Sequence, residues 1–86
     1  MKEVVIKIKN ATGLHARPAA ILVNSAKVFV SDITIKKNSK EVSLKSLLSL
    51  LSLGVCQNDE IVLKANGEDE EQAIAELTNK IETLAD

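Results

Sequence analysis

The chain of 86 residues has no tryptophan, no tyrosine and one phenylalanine, Phe29. Isoleucine, leucine, valine and alanine must therefore build its core, and with a single ring the stacking of nucleic-acid bases on aromatic side chains has little support. Eleven basic residues stand against twelve acidic ones, a net charge of −1, so no basic field draws the chain to nucleic acid. The single cysteine, Cys56, has no internal disulfide partner and too few companions for a zinc site, which leaves a buried or idle thiol. One histidine excludes a multi-histidine metal centre, and no metal or cofactor is expected. No apolar run approaches the ~20 residues of a membrane span, and MKEVVIKIK alternates too strictly for a signal peptide. One soluble, cytoplasmic domain over 1–86 is expected, burying about 60–65% of the surface its unfolded chain exposes.

The residues present are patterned. Val4, Ile6 and Ile8 alternate with lysines, the period of a strand with one buried face. After the NATGLH turn, Ala19, Leu22, Val23 and Ala26 take the spacing of a helix facing a core. Ile33 and Ile35 begin a second strand, which a turn at Asn38-Ser39 joins to a third through Val42. Gly54 stops a leucine-rich segment, Asn58-Asp59 turn the chain, and Ile61, Leu63 and Ala65 form a fourth strand. The tail GEDEEQAIAELTNKIETLA opens with acidic residues, where a helix dipole favours them, and carries Ile74, Leu77, Ile81 and Leu84 on one stripe. This order predicts an α+β fold, four strands covered on one face by three helices, with Lys7, Lys9, Lys36 and Lys64 turned to water on the other.

SLLSLLSLG, Ser46 to Gly54, is too leucine-rich for a one-sided helix. At about 100° per residue its leucines cover roughly 220° of arc, whereas a core-facing stripe needs only ~100° or a little more. Leu50 and Leu53 fall on one side, Leu47, Leu48 and Leu51 on the other, so that either one group is left for a partner surface or the helix is buried on both sides with any exposed leucines merely tolerated. Ser46 has two readings, an N-cap satisfying backbone amides or a phosphorylation site at the positive end of the helix dipole. Ser43, Ser49 and Ser52 compete for the same roles.

The densest cluster is GLHARPAA, which gathers the only histidine, arginine and proline within four positions. Proline belongs in the first turn of a helix, where its missing N–H is not needed. The helix is expected to start at Arg17 or Pro18, to within a residue or two, with His15 and Ala16 just before it. Free amides at such a start bind anions, and the Arg17 guanidinium suits phosphate oxygens. An imidazole of ordinary pKa is largely neutral at neutral pH and able to attack phosphorus. With no nearby acid or cysteine in sequence, a hydrolytic triad has little support; a lone histidine is commonly a capping or surface side chain, and the functional reading that remains beside this is phosphoryl transfer.

On GLHARPAA and KSLLSLLSLG, and over essentially its full length, the chain resembles the HPr family, the phosphocarriers of the bacterial phosphoenolpyruvate-dependent sugar phosphotransferase system. The resemblance implies an open-faced β-sandwich of four antiparallel strands and three helices. It implies that His15 accepts a phosphoryl group on Nδ1 from enzyme I and passes it to sugar-permease IIA domains, with Arg17 steadying the group. Such a protein is a cosubstrate rather than an independent enzyme. The resemblance further implies that Ser46 is the target of HPr kinase/phosphorylase, and that the phosphoserine form binds a catabolite control regulator. Ala16, Ala20, Ile21, Leu47, Leu48 and Leu51 would form the partner surface of a monomer, and Leu50 and Leu53 would be core. An alternative is a regulatory binding module that acts through phosphorylated Ser46 without sugar transport; a related regulatory paralogue lacks the histidine that His15 matches here.

Overall fold

The computed structural model describes residues 1–84. Its elements run β1 (Lys2–Lys7), α1 (Ala16–Ala26), β2 (Asp32–Lys37), β3 (Lys40–Ser43), α2 (Leu47–Ser52), β4 (Glu60–Asn66) and α3 (Glu70–Glu82). This is the expected order; Ala85, at the end of the expected helical tail, lies outside the described residues. The strands form one antiparallel sheet in the order β1-β4-β2-β3. The last strand of the sequence therefore lies between the first two, with Val4 opposite Leu63 and Ile35 opposite Leu63 on its other side.

Period-two alternation decides which face is dry. Ile6, Ile33, Ile35, Ile61, Leu63 and Ala65 point into a core shared with Leu22, Val23, Leu50, Leu77 and Ile81 of the helices. The open face carries Glu3, Val5, Lys7, Thr34, Lys36, Glu41, Val62 and Lys64. Lys64 reaches Glu3 at 3.7 Å and Glu41 at 3.5 Å, so charge of both signs is paired across the strands there. The β2–β3 turn has two residues, with Asn38 at φ 56°; asparagine accepts this left-handed conformation more readily than most side chains.

Asp69 is the N-cap residue of α3, but its side chain makes no capping bond. Its carboxylate instead accepts hydrogen bonds from the Val30 and Ser31 amides, both at 3.0 Å, and from the Ser31 hydroxyl. It thereby fastens the loop leaving α1 to the loop entering α3. The Ser31 hydroxyl above all, joined by the two amides, holds the Asp69 carboxyl below the ordinary aspartate value of 3.8. A carboxyl with a depressed folded-state pKa contributes stability above its unfolded pKa and loses it as the pH falls through the folded value. Asp69→Ala is therefore expected to melt below wild type at pH 7 by circular dichroism, the gap closing as the pH drops below 3.8. Equal midpoints at pH 7 would contradict the tether.

Candidate functional site

The site is built on a loop held against a second, distant loop. Between β1 and α1 the chain is fastened to residues 55–59. The Ile8 amide donates to the Asp59 carbonyl at 2.9 Å, the Asn58 amide to the Ile8 carbonyl at 2.7 Å, and the Leu14 amide to the Val55 carbonyl at 3.0 Å. Gly13 lies so close to this platform that a Cβ would stand 2.4 Å from the Val55 carbonyl oxygen, and its φ of +63° suits glycine as well. The platform is fixed in turn by Asp59, which accepts from the Cys56 amide at 2.8 Å and pairs with Lys37 Nζ at 2.9 Å. The Cys56 amide and then Lys37 hold the Asp59 carboxyl below its ordinary range.

His15 emerges from this loop as the N-cap of α1, in extended conformation with φ −81° and ψ −171°. The helix starts at Ala16, a residue earlier than the proline rule suggested, and Ala16 is part of it. A proline disfavours helical angles in the preceding residue, but Arg17 is helical here. Pro18 still falls within the first turn, and the first helical bond, from the Ala19 amide to the His15 carbonyl at 2.9 Å, lies beyond it. The His15 side chain is exposed and makes no capping bond. The amides of Ala16 and Arg17 are thus first-turn donors pointing out of the helix beside an exposed imidazole. Arg17 is exposed beside them.

The leucines of α2 divide as their spacing demands. Leu50 is fully buried and Leu53 nearly so, whereas Leu47, Leu48 and Leu51 are 39%, 81% and 37% exposed. On α1, Ile21 is 42% exposed, Ala16 is exposed and Ala20 half-buried. Lys45, just before α2, donates to the Phe29 carbonyl beyond the C-terminal end of α1 at 2.7 Å. The residues following α2, from Val55 on, meet the His15 loop. The two helices therefore run in opposite directions, and Ser46 and His15 sit at opposite ends of α2, a helix of six residues and so about 9 Å long.

Ser46 caps α2: its hydroxyl accepts from the Ser49 amide at 3.3 Å. Ser46→Ala is expected to cost about 1 kcal/mol, or roughly 4–8 °C in Tm for a domain of this size, and Ser46→Asp to keep most of it. Thermal melts of the two variants check this. Cys56 is exposed, not buried, because it lies on the irregular loop between α2 and β4 rather than on a core-facing strand or helix. The contacts of Val55 and Asp59 with the His15 loop have no local signature, since their backbone bonds to Leu14 and Ile8 span about forty to fifty positions; Gly13 is the one local signal of a close approach.

Fold and site together define a class, the small open-faced α+β sandwiches that present an exposed histidine at the N-cap of their first helix beside an apolar strip. A family model described as the PTS HPr component phosphorylation site matches residues 2–83. The chain belongs to the HPr family of phosphocarrier proteins. It is 47% identical over 79 residues to the phosphocarrier protein HPr of Buchnera aphidicola subsp. Baizongia pistaciae, covering 92% of this chain and 93% of the relative. It is 43% identical over 72 residues to the HPr-like protein Crh of Bacillus subtilis, covering 84% and 85%. The crystal structure of HPr-C-His from Thermoanaerobacter tengcongensis superposes with a TM-score of 0.94 at 52% identity, over 96% of this chain and 93% of that one. An HPr dimer from the same organism, also 52% identical, matches with a TM-score of 0.78 over 96% and 95%. No helix among the described residues is long and apolar enough to cross a membrane.

Proposed function

We propose that this chain carries a phosphoryl group on His15. A neutral imidazole nitrogen, Nδ1 by the family resemblance, attacks the phosphorus held by phosphorylated enzyme I. The new P–N bond forms as the donor's bond breaks, and the reverse step delivers the group to a sugar-permease IIA domain. The observation that carries this reading is the exposed, uncapped His15 imidazole beside the outward-pointing amides of Ala16 and Arg17. Those amides and the Arg17 guanidinium are suited to the phosphoryl oxygens. The apolar strip of Ile21, Leu47, Leu48 and Leu51 supports docking of both partners on one face.

Ser46 is proposed as the acceptor for HPr kinase/phosphorylase, its phosphorylated form binding a catabolite control regulator. Six residues of helix separate it from the His15 end, so a phosphate on Ser46 acts on His15 by placing negative charge at the shared docking strip rather than by touching the imidazole. Similarity to the HPr-like protein Crh supports the second reading, a regulatory module working through Ser46 alone; the exposed His15 favours the carrier. The carrier is expected to act as a monomer, and light scattering over a range of concentrations distinguishes that from a dimer like that of the T. tengcongensis HPr. The deciding experiment is incubation with phosphoenolpyruvate and catalytic enzyme I. The expected result is a mass gain of one phosphate, acid-labile and alkali-stable; no gain would refute the carrier reading.

A further inference from the structure

We propose that Asn10 is a positioning residue for His15, a role that rests on the carrier reading. Asn10 is only 9% exposed, and with Ser31 it makes up the buried polar residues described. Its Nδ2 donates to the Gly13 carbonyl at 2.6 Å, while the Gly13 amide donates to the Asn10 carbonyl at 3.1 Å. The Gly13 carbonyl and the Leu14 N–H belong to one planar peptide unit. That unit is thus gripped at both ends, by Asn10 at its oxygen and by the Val55 carbonyl, at 3.0 Å, at its nitrogen. Leu14, 3% exposed, seats the next side chain in the core. His15 follows directly and makes no capping bond of its own, so the place of its imidazole is set by the chain that delivers it.

The orientation of the Asn10 amide follows from its neighbours. Turning it over would set Oδ1 against the Gly13 oxygen, two acceptors in contact. In the orientation observed, Oδ1 is enclosed with no hydrogen-bond partner among the described residues. An enclosed acceptor without a donor is destabilising, so it offsets what the Nδ2 bond contributes. Alanine at this position would remove both together. The net effect of Asn10 on stability is therefore small, while its effect on the geometry of the loop is direct.

The test is Asn10→Ala, with Asn10→Asp, which matches the shape but has no N–H for Gly13, as a second variant. Amide hydrogen exchange, read without any partner, is expected to speed up at Leu14 by about tenfold or more in both, with the amides of β4 unchanged. With phosphorylated enzyme I as donor, kcat is expected to fall by about tenfold or more, since slight misplacement of a reacting group is costly, while KM holds because the leucine strip is untouched. Wild-type kcat, or unchanged exchange at Leu14, would overturn the proposal. So would faster exchange throughout β4 with KM and kcat changing together, which would make Asn10 a stabilising residue only. Failure of the carrier reading shows separately, as absence of uptake by the wild-type protein.

Discussion

His15→Ala is expected to take up no phosphate from enzyme I and phosphoenolpyruvate, and to melt within about 2–4 °C of wild type. The loss is complete rather than partial because histidine supplies the bonding atom itself, and the sequence holds no second imidazole. The small thermal effect follows from the site: the side chain is exposed and makes no capping bond, and substitutions at such positions typically change stability by no more than ~0.5 kcal/mol, a few degrees for a domain of this size. Mass spectrometry of acid- and alkali-treated samples, with a thermal melt alongside, checks both halves. Undiminished acid-labile labelling in the variant would move the acceptor elsewhere.

Leu50→Ala is expected to cost about 2–5 kcal/mol, lowering Tm by about 10 °C or more. Leu50 is fully enclosed between α1, α2 and the sheet, and alanine would leave a void lined by rigid aliphatic neighbours in a domain whose whole stability is of order 5–15 kcal/mol. Leu48, two residues away and 81% exposed, should give the opposite pattern. Leu48→Ala is expected to change stability by no more than ~0.5 kcal/mol. Leu48→Glu, which sets a charge in an apolar contact, is expected to weaken binding to enzyme I by about tenfold or more, the size typical of a central contact residue. Denaturant melts and calorimetric titration measure the two. Unfolding by Leu48→Glu together with tolerance of Leu50→Ala would mean that the faces of α2 are reversed.

The leucine faces were legible because six consecutive helical residues leave few ways to place four leucines, with Leu53 following at the C-cap. The same holds for the strands: the alternation of Val4, Ile6 and Ile8, of Ile33 and Ile35, and of Ile61, Leu63 and Ala65 needs only local periodicity, and each run faces the core, although β1 ends at Lys7, so that Ile8 is buried just past the strand and Val4 is only partly covered. GLHARPAA was legible for a chemical reason, since proline marks a first turn and a first turn binds anions. Its boundary slipped by a residue because proline biases, but does not forbid, a helical residue before it. The placement of β4 between β1 and β2 has no local signature; it emerges from pairing across the whole chain. Asn10, Asp59 and Asp69 are ordinary polar residues in sequence: Asn10 and Asp59 reach groups three residues away through turn geometry that no residue pattern specifies, and Asp69 reaches Val30 and Ser31, 39 and 38 positions away. Cys56 belongs with them, since nothing in the spacing around a lone loop cysteine says whether it is covered.

The measurement that bears most directly on the carrier function is phosphorus and nitrogen NMR of the 15N-labelled protein, first phosphorylated with phosphoenolpyruvate and catalytic enzyme I, then mixed with a IIA domain. The expected result is one phosphorus resonance coupled to the Nδ1 of His15, which disappears as the IIA domain becomes phosphorylated. A phosphate on a serine or threonine oxygen, or a phosphohistidine that the IIA domain does not discharge, would contradict it.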